Sequence, residues 1–324
     1  MMISEENIFK HIAKTKNTIV VHPSYQKASE QIEKALRAKI AANVSKNILC
    51  LGDPGTGKTT LKNHLKVKYP PMNDSVCIAQ PLVCVETPSK PTVKSMAETI
   101  LVELDDPNFY RGTATQKTNR IKDLFREKKV MMLIVDELQH FVDHCGPSTA
   151  KEVSDWLKSL MEDSKVCFVL MGLKRSITLL SINTQLQRRF SQKVYLPPFS
   201  ITDPESTKIF GGVILQLEQS LATKSPLALT EDLVKRFYFA TMGIIDYVTK
   251  ILITAYEIAM DMGHEGITSE TLELAFNEAI WQECKRSKNP FSNTFTWEFL
   301  DKPNMPFHDA VERDSMRQTK GGFK

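Results

Sequence analysis

Eight residues at positions 52–59, Gly-Asp-Pro-Gly-Thr-Gly-Lys-Thr, carry the clearest chemical signal in the chain. They match G-x-x-x-x-G-K-[ST], in which a glycine-rich turn directs backbone N–H groups onto phosphate oxygens at a helix N-terminus. An apolar run at 47–51 predicts a strand before the motif, and 60–65 can begin a helix after it. In this pattern Lys58 reaches the β- and γ-phosphates and the Thr59 hydroxyl contacts Mg²⁺. The alternative is a glycine-rich turn with no ligand. We expect ATP and Mg²⁺ as cofactors, with the nucleotide held by Asp53, Pro54, Gly55, Thr56, Gly57, Lys58, Thr59 and Thr60.

Two adjacent acids, Asp136 and Glu137, follow an apolar strand predicted at 130–135. An aspartate in this position orients Mg²⁺ or its bound water, so Thr59 and Asp136 are the expected metal ligands. A glutamate one residue later can polarise water for attack on the γ-phosphate, as a general base does. The pair predicts ATP hydrolysis, since metabolic kinases of this class take their nucleophile from the substrate. The alternative is a pair of carboxylates that caps a helix.

Two further groups of side chains allow more than one interpretation. Arg188 and Arg189 end a predicted helix just before the last strand, where they are either surface charge or a trans-acting arginine that probes a neighbouring subunit's nucleotide. We count both as candidate catalytic residues beside Glu137. His140 and His144 have an i, i+4 spacing, but no second cluster with metal-like spacing supports a zinc site. Packing of His140 or Gln139 beside the acids is the preferred interpretation.

The hydrophobic patterning predicts an α/β chain with four segments. Residues 1–17 form an N-terminal segment, and 18–200 alternate strands with helices, which predicts a five-stranded parallel sheet covered by helices. Residues 201–285 carry only helical patterns and predict a small helical lid. Residues 286–324 hold aromatic side chains among prolines and polar residues; they either extend toward a partner or pack back on their own domain.

Composition limits the class of protein. The 324 residues carry a net charge of +4 and six scattered cysteines, and no apolar run approaches the ~20 residues of a membrane helix. We expect a reduced, cytoplasmic protein with no membrane partner. Residues 111–129 hold seven basic and two acidic side chains, either a solvated face or a surface that follows a phosphate backbone.

These motifs, in this order, resemble the AAA+ ATPases and, more narrowly, the TniB/TnsC family of transposition regulators. The resemblance extends from about residue 21 to about 281. It rests on the sequences at 22–23, 52–60, 87–88, 133–140 and 185–190, the last followed by Leu-Pro at 196–197. The Gln-Leu-x-x-Arg-Phe element narrows the resemblance to the TniB/TnsC family, because the other motifs are common to many ATPases.

The resemblance implies a protein that assembles with ATP into homo-oligomeric rings or filaments around double-stranded DNA. There it would link a target selector, either a DNA-binding protein or an RNA-guided complex, to transposase subunits. Val20, Val21 and His22 would lie near the adenine. The surface after the second strand would contact DNA phosphates, with candidates Lys90, Lys94, Arg111, Lys117 and Arg120.

Two departures from the family pattern predict slow or partner-stimulated hydrolysis. The fourth strand ends in Met-Gly-Leu at 171–173 without the usual polar sensor, and the lid segment at 243–246 lacks the usual arginine. Other functions remain open: a replication initiator or helicase loader, a secretion-associated ATPase of the ExeA type, and a scaffold that binds nucleotide without turnover. An initiator usually adds a helix-turn-helix domain, and an ExeA-type protein a membrane segment or a peptidoglycan-binding extension.

Overall fold

Two compact units make up the chain. The computed structural model describes residues 5–73, 78–144 and 146–308. The core unit comprises residues 23–197, and the helical unit comprises residues 1–22 together with 198–324. The predicted core boundaries, 18 and 200, differ by a few residues because Val20 and Phe199 pack in the hydrophobic cluster of the helical unit.

The described residues contain seven strands and thirteen α-helices. The strands are β1 Ile48–Gly52, β2 Met72–Asn73, β3 Ile78–Ala79, β4 Leu82–Glu86, β5 Met132–Asp136, β6 Cys167–Gly172 and β7 Gln192–Leu196. The helices are α1 Glu5–Lys16, α2 Pro23–Ala42, α3 Lys58–Lys68, α4 Val93–Glu103, α5 Ala114–Glu127, α6 His140–Asp143, α7 Pro147–Ser164, α8 Ile177–Ser181, α9 Thr184–Arg189, α10 Pro204–Ser220, α11 Glu231–Thr241, α12 Ile245–Asp261 and α13 Ser269–Ala279. Short 3₁₀ turns lie at Lys174–Ser176 and Arg286–Lys288.

Five strands form one sheet in the order β4-β5-β6-β1-β7, and every neighbouring pair is parallel. The predicted five-stranded parallel sheet is therefore confirmed. Its register pairs Glu86 with Asp136 and Gly52 with Leu196. Because parallel strands end at the same edge, the P-loop and the acidic pair lie on one side of the sheet, where ligands bind in open α/β folds. The hairpin β2-β3 was not predicted.

Burial on both faces explains the near-continuous apolar strands. Leu49 and Leu51 pack in one cluster with side chains of α4, α5 and α7, such as Ile100, Phe125 and Val153. The alternate residues of β1 point to the opposite face. The helices α2 and α3 contact the strands of the sheet as well.

The helical unit contains α1 and α10–α13. The side chains of Thr230 and Thr268 accept N-cap hydrogen bonds at α11 and α13. Helix α13 ends at Ala279. The helix α1 was not predicted. The hydroxyl groups of Thr15 and Ser220 form a hydrogen bond of 2.7 Å, which ties α1 to α10.

Residues 286–308 pack back onto the helical unit. Phe291, Leu300 and Phe307 are buried in the cluster of this unit. Arg236 donates hydrogen bonds to the carbonyl oxygens of residues 290 and 292 at 2.7 and 2.9 Å. Trp297 and Phe299 remain 43% and 37% exposed. The remainder of the predicted tail, residues 309–324, lies outside the described residues.

Cys50, Cys84 and Cys167 are buried free thiols, consistent with their expected role as small apolar side chains. Burial raises the pKa of Cys50 and of Cys84 to about 12. Cys77 and Cys145 lie outside the described residues.

None of the described helices is by itself long and apolar enough to cross a bilayer. The pair α11 and α12 reaches the required length and composition only jointly, with a bend of 111° between them.

Candidate nucleotide-binding site

The predicted phosphate-binding turn joins β1 to α3. Gly55 and Gly57 have φ values of 73° and 96°, in the left-handed region where side chains are strained. A Cβ on Gly52 would lie 2.6 Å from a carbonyl oxygen of β7. The hydroxyl of Thr56 donates to the carbonyl oxygen of Asp53 at 2.8 Å and closes the turn. The glycines are therefore required by the backbone geometry of this turn.

The N-terminus of α3 suits an anion. Within the described chain no side chain caps this helix, whose N-cap is Gly57, whereas the Thr92 side chain caps α4. Lys58 donates to the carbonyl oxygens of Gly52 and Asp53 at 2.9 and 2.8 Å, which holds its ammonium group inside the turn. Burial lowers the pKa of Lys58, although nearby carboxylates oppose this shift. Uncapped N–H groups beside a lysine fit the phosphates of a nucleotide. Four more predicted contacts of the turn are exposed: Pro54, Gly55, Thr59 and Thr60.

Thr59 and Asp136 meet at the carboxyl edge of the sheet. The Thr59 hydroxyl lies 3.1 Å from Oδ2 of Asp136, and the Asp136 carboxylate is fully buried. The amide of Glu137 donates to Oδ1 of Asp136 at 2.9 Å. A hydroxyl and an anchored carboxylate are oxygen ligands of the kind that Mg²⁺ uses beside substrate phosphates. The donor set therefore fits the predicted metal.

Glu137 occupies an unusual backbone conformation. Its φ is 58°, which costs of the order of 1–3 kcal/mol in a residue with a side chain. The sharp turn leaves Glu137 partly exposed directly beside the fully buried Asp136. The two acids therefore meet different surroundings, as expected if one holds a metal and the other faces water.

Gln139 connects Glu137 to the end of β6. Its Nε2 donates to Glu137 Oε2, and its Oε1 accepts the amide N–H of Leu173 at 3.2 Å. A Cβ on Gly172 would lie 3.1 Å from Gln139 Oε1 and 2.6 Å from Ser176 Oγ. The end of β6 has no polar side chain of its own, and Gln139 places its amide group there. Gly172 leaves the space that this amide group occupies.

His140 packs beside the same edge, as the sequence indicated. Its Nδ1 lies 3.0 Å from the carbonyl oxygen of Thr87. The Thr87 hydroxyl donates to the carbonyl oxygen of Asp136 at 2.8 Å. These contacts fix the end of β4 against the end of β5.

Lys62 is a residue of the site that sequence reasoning missed. Its Nζ lies 2.6 Å from Glu86 Oε1 and 3.1 Å from Asp136 Oδ2, and its side chain is only 6% exposed. Burial opposes its charged form, but the hydrogen bonds and charges of the two carboxylates outweigh burial and raise its pKa. The sequence did contain a signal for Lys62: it lies one helical turn after Lys58 and Thr59, and residues at i, i+3 and i+4 share a helix face.

The two candidate arginines differ in their contacts. Both lie at the exposed end of α9. Arg189 forms an ion pair with Glu162. The guanidinium of Arg188 has no ion-pair or hydrogen-bond partner among the described residues. Among the described residues, Arg188 is therefore the one of the two whose guanidinium is not engaged in an ion pair.

The five predicted DNA contacts have unequal accessibility. Lys90, Lys94 and Arg111 are exposed. Lys117 is wrong as a DNA contact, because its side chain is completely buried. Its ammonium group lies 3.1 Å from Glu98 Oε1 and donates to the carbonyl oxygen of Phe109.

Arg120, the fifth candidate, is partly buried and engaged within its own unit. Its Nε lies 3.0 Å from Asp106 Oδ2, and it donates to the carbonyl oxygens of Asn108 and Arg111 at 2.8 and 3.1 Å. The loop between α4 and α5 is therefore held by Lys117 and Arg120, and it presents Arg111 at the surface.

Val20, Val21 and His22, the predicted adenine contacts, belong to the helical unit. Val20 and His22 are buried, whereas Val21 is 58% exposed. The His22 ring packs edge-on against Phe199 with 4.6 Å between ring centroids. Burial lowers the pKa of His22 to about 4.

Comparison with solved structures gives matches over most of the chain. Cdc6p from Pyrobaculum aerophilum matches with a TM-score of 0.64 and 14% identity, covering 89% of this chain and 74% of that one. ORC2 of Aeropyrum pernix, solved as ADPNP-ADP complexes, matches with a TM-score of 0.59 and 14% identity, covering 81% and 69%. ORC1 of Aeropyrum pernix, solved in complex with DNA, matches with a TM-score of 0.57 and 15% identity, covering 83% and 67%. At these identities the likeness concerns the fold, which is that of the AAA+ ATPases.

No curated protein matches the chain. A family model described as the bacterial TniB protein matches residues 11–201, more than half of the chain, and includes the P-loop, the acidic pair and both candidate arginines. This chain belongs to the TniB family.

Proposed function

We propose that this protein is an ATP-dependent, DNA-binding regulator of transposition that assembles on duplex DNA and links target-site selection to transposase recruitment. The observation that carries the proposal is the meeting of Thr59 and Asp136 beside an uncapped P-loop helix, in a chain of the TniB family. The triphosphate lies against residues 53–60, with Mg²⁺ held at Thr59 and Asp136.

Hydrolysis is the proposed reaction of this site. Glu137 accepts a proton from the attacking water, and its partial exposure beside the buried Asp136 supports this division of roles. Gln139 orients the Glu137 carboxylate from the end of β6. Mg²⁺ supplies charge neutralisation of the phosphates when it is bound.

Assembly places Arg188 of one subunit at the nucleotide of the next. Its exposed guanidinium, without a partner among the described residues, supports this role. An arginine supplied in this way makes turnover depend on the assembled ring or filament.

DNA binding uses the exposed cations Lys90, Lys94 and Arg111. Such side chains contact phosphates, so the affinity depends on salt and varies little with DNA sequence. Transposase subunits and a target selector, either a DNA-binding protein or an RNA-guided complex, are the proposed partners. The exposed rings of Trp297 and Phe299 are candidate contacts for one of them.

Electron microscopy with ATP and random-sequence duplex DNA tests the proposal. We expect rings or filaments with both ligands, and none with the Lys58→Ala variant, because that variant lacks the phosphate-binding ammonium. An absence of DNA-bound assemblies with the unaltered protein would refute the proposed function, and an unchanged assembly in Lys58→Ala would refute the assignment of the P-loop.

A further inference from the structure

The ammonium group of Lys62 lies beside the proposed metal ligand. It is 3.1 Å from Oδ2 of Asp136, the same oxygen that the Thr59 hydroxyl contacts. It is also 2.6 Å from Oε1 of Glu86, the residue of β4 that pairs with Asp136 of β5 in the sheet. Lys62 and Asp136 are both buried, and Glu86 is 64% exposed.

A buried carboxylate needs a compensating charge. Asp136 is fully buried, and an unpaired anion in such a place is strongly unfavourable. Lys62 supplies the compensation in the structure, at the oxygen beside which Mg²⁺ would have to bind. An ammonium group and a divalent cation that share one carboxylate repel each other, and weak screening away from water strengthens that repulsion.

We propose that Lys62 is a built-in cation that substitutes for Mg²⁺ at Asp136 in the metal-free site and reduces the dependence of ATP binding on Mg²⁺. The inference rests on the proposed nucleotide site and deepens it. Without metal, Lys62 neutralises Asp136 and adds positive charge beside the phosphates. With metal, its charge opposes the second cation and lowers the gain from Mg²⁺.

Glu86 controls the strength of this effect. Its carboxylate holds Lys62 at 2.6 Å and offsets its charge. Removal of the Glu86 charge therefore leaves Lys62 with only Asp136 to compensate its charge, and Mg²⁺ binding weakens further. Substitutions at Lys62 and at Glu86 thus act in opposite directions on the same quantity, which a general loss of packing does not produce.

The measured quantity is the Kd of a fluorescent N-methylanthraniloyl ATP in EDTA divided by its Kd in saturating Mg²⁺. We expect Lys62→Met to raise this ratio by about tenfold or more, through weaker metal-free binding and tighter binding with metal. Glu86→Gln should lower the ratio, and its effect should shrink in the double variant because Lys62 carries part of it. Lys66→Met is the matched control, since Lys66 lies one turn further along α3 and pairs with Glu103 at 2.6 Å; its ratio should equal that of the unaltered protein.

An unchanged ratio in Lys62→Met, or a raised ratio in Glu86→Gln, would overturn the inference. If Lys62→Met does not fold, the Kd ratio of Glu86→Gln tests the inference instead. Glu86 is exposed, and glutamine retains the shape of its side chain, so this variant should fold. An unaltered protein that binds the nucleotide in neither buffer contradicts the proposed function itself. An unaltered protein that binds it, with no response at Lys62 or Glu86, contradicts only the role of Lys62.

Discussion

The Thr59 hydroxyl and the Asp136 carboxylate lie 3.1 Å apart although 77 positions separate them in the chain. Thr59 lies in the first turn of the helix that follows β1, and Asp136 ends β5, with β6 between these two strands in the sheet. The pair brings a hydroxyl and a buried carboxylate together beside the phosphate-binding turn. The consequences for catalysis, assembly and stability can be measured separately.

Glu137→Gln should abolish most ATP turnover while ATP binding persists. The amide retains the size of the side chain but cannot accept a proton from water, which typically costs about 10²–10⁴-fold in rate. ATP-bound protein should therefore remain on DNA longer. Phosphate release, nucleotide titration and dissociation from labelled duplex measure the three effects. Unimpaired turnover in this variant would show that Glu137 is not the base.

Gln139→Leu should lower kcat with little change in KM. Leucine occupies a similar volume but cannot join the Glu137 carboxylate to the amide of Leu173, so Glu137 loses its orientation. Gly172→Ala should act in the same direction, because the added Cβ meets Gln139 Oε1 at 3.1 Å. Steady-state kinetics give the kcat and KM values. If KM rises while kcat stays constant, Gln139 contributes to nucleotide binding and not to the position of the base.

Arg188→Glu should impair hydrolysis in the DNA-bound assembly, and isolated subunits should retain their basal rate. Arg189→Glu should lower turnover less than Arg188→Glu does, because Arg189 is engaged in an ion pair with Glu162. Trans-acting arginines in GTPases are worth roughly 10³–10⁵ in rate, so the effect should be large. Mixing Arg188→Glu subunits with Glu137→Gln subunits tests whether the arginine acts across the interface. Glu137 and Arg188 then meet only where an Arg188→Glu subunit holds the nucleotide and a Glu137→Gln subunit supplies the arginine. If assemblies made only of Arg188→Glu subunits hydrolyse ATP as fast as assemblies of the unaltered protein, Arg188 is not the trans-acting arginine.

Lys117→Met and Lys94→Ala should affect different properties. Lys117→Met leaves the carbonyl oxygen of Phe109 without its buried donor, and a loss of about 1–3 kcal/mol in the free energy of unfolding follows. Lys94→Ala removes an exposed cation, so stability should hold while DNA affinity falls and the salt slope decreases by about 1. Urea unfolding and DNA binding at several salt concentrations separate the two. A strong stability loss in Lys94→Ala, or a DNA defect in folded Lys117→Met equal to that of Lys94→Ala, would contradict this assignment.

His22 should make stability depend on pH between about 6.5 and about 4. Burial lowers its pKa in the folded state, so the unfolded chain binds the proton first as the pH falls. The contribution of neutral His22 is therefore present above the unfolded pKa and is lost as the pH decreases through this window. Thermal unfolding of the protein and of His22→Phe across the window measures the difference. Parallel pH profiles for the two would show that His22 contributes no such dependence.

Local patterns in the sequence determined the strands of the main sheet and the order of the chemical motifs. The apolar runs before the P-loop and before Asp136 became β1 and β5, since a strand buried on both faces needs continuous apolar residues. The glycine spacing at 52–57 matched a turn that requires left-handed backbone at two positions. Helix caps at Thr230 and Thr268 were equally local, because a cap contacts backbone within three residues.

Only the tertiary structure decided which side chains meet and which are buried. The basic stretch at 111–129 has the same charges whether or not Lys117 is exposed, and its burial against Glu98 and the carbonyl of Phe109 comes from the packing of α4 on α5. The contact of Lys62 with Asp136 depends on the strand order, which no spacing along the chain specifies. The contacts of Arg189 with Glu162 and of Gln139 with Leu173 likewise join residues that are distant in the chain. Secondary structure follows from short-range periodicity, whereas ion pairs and burial follow from the arrangement of elements that are distant in the chain.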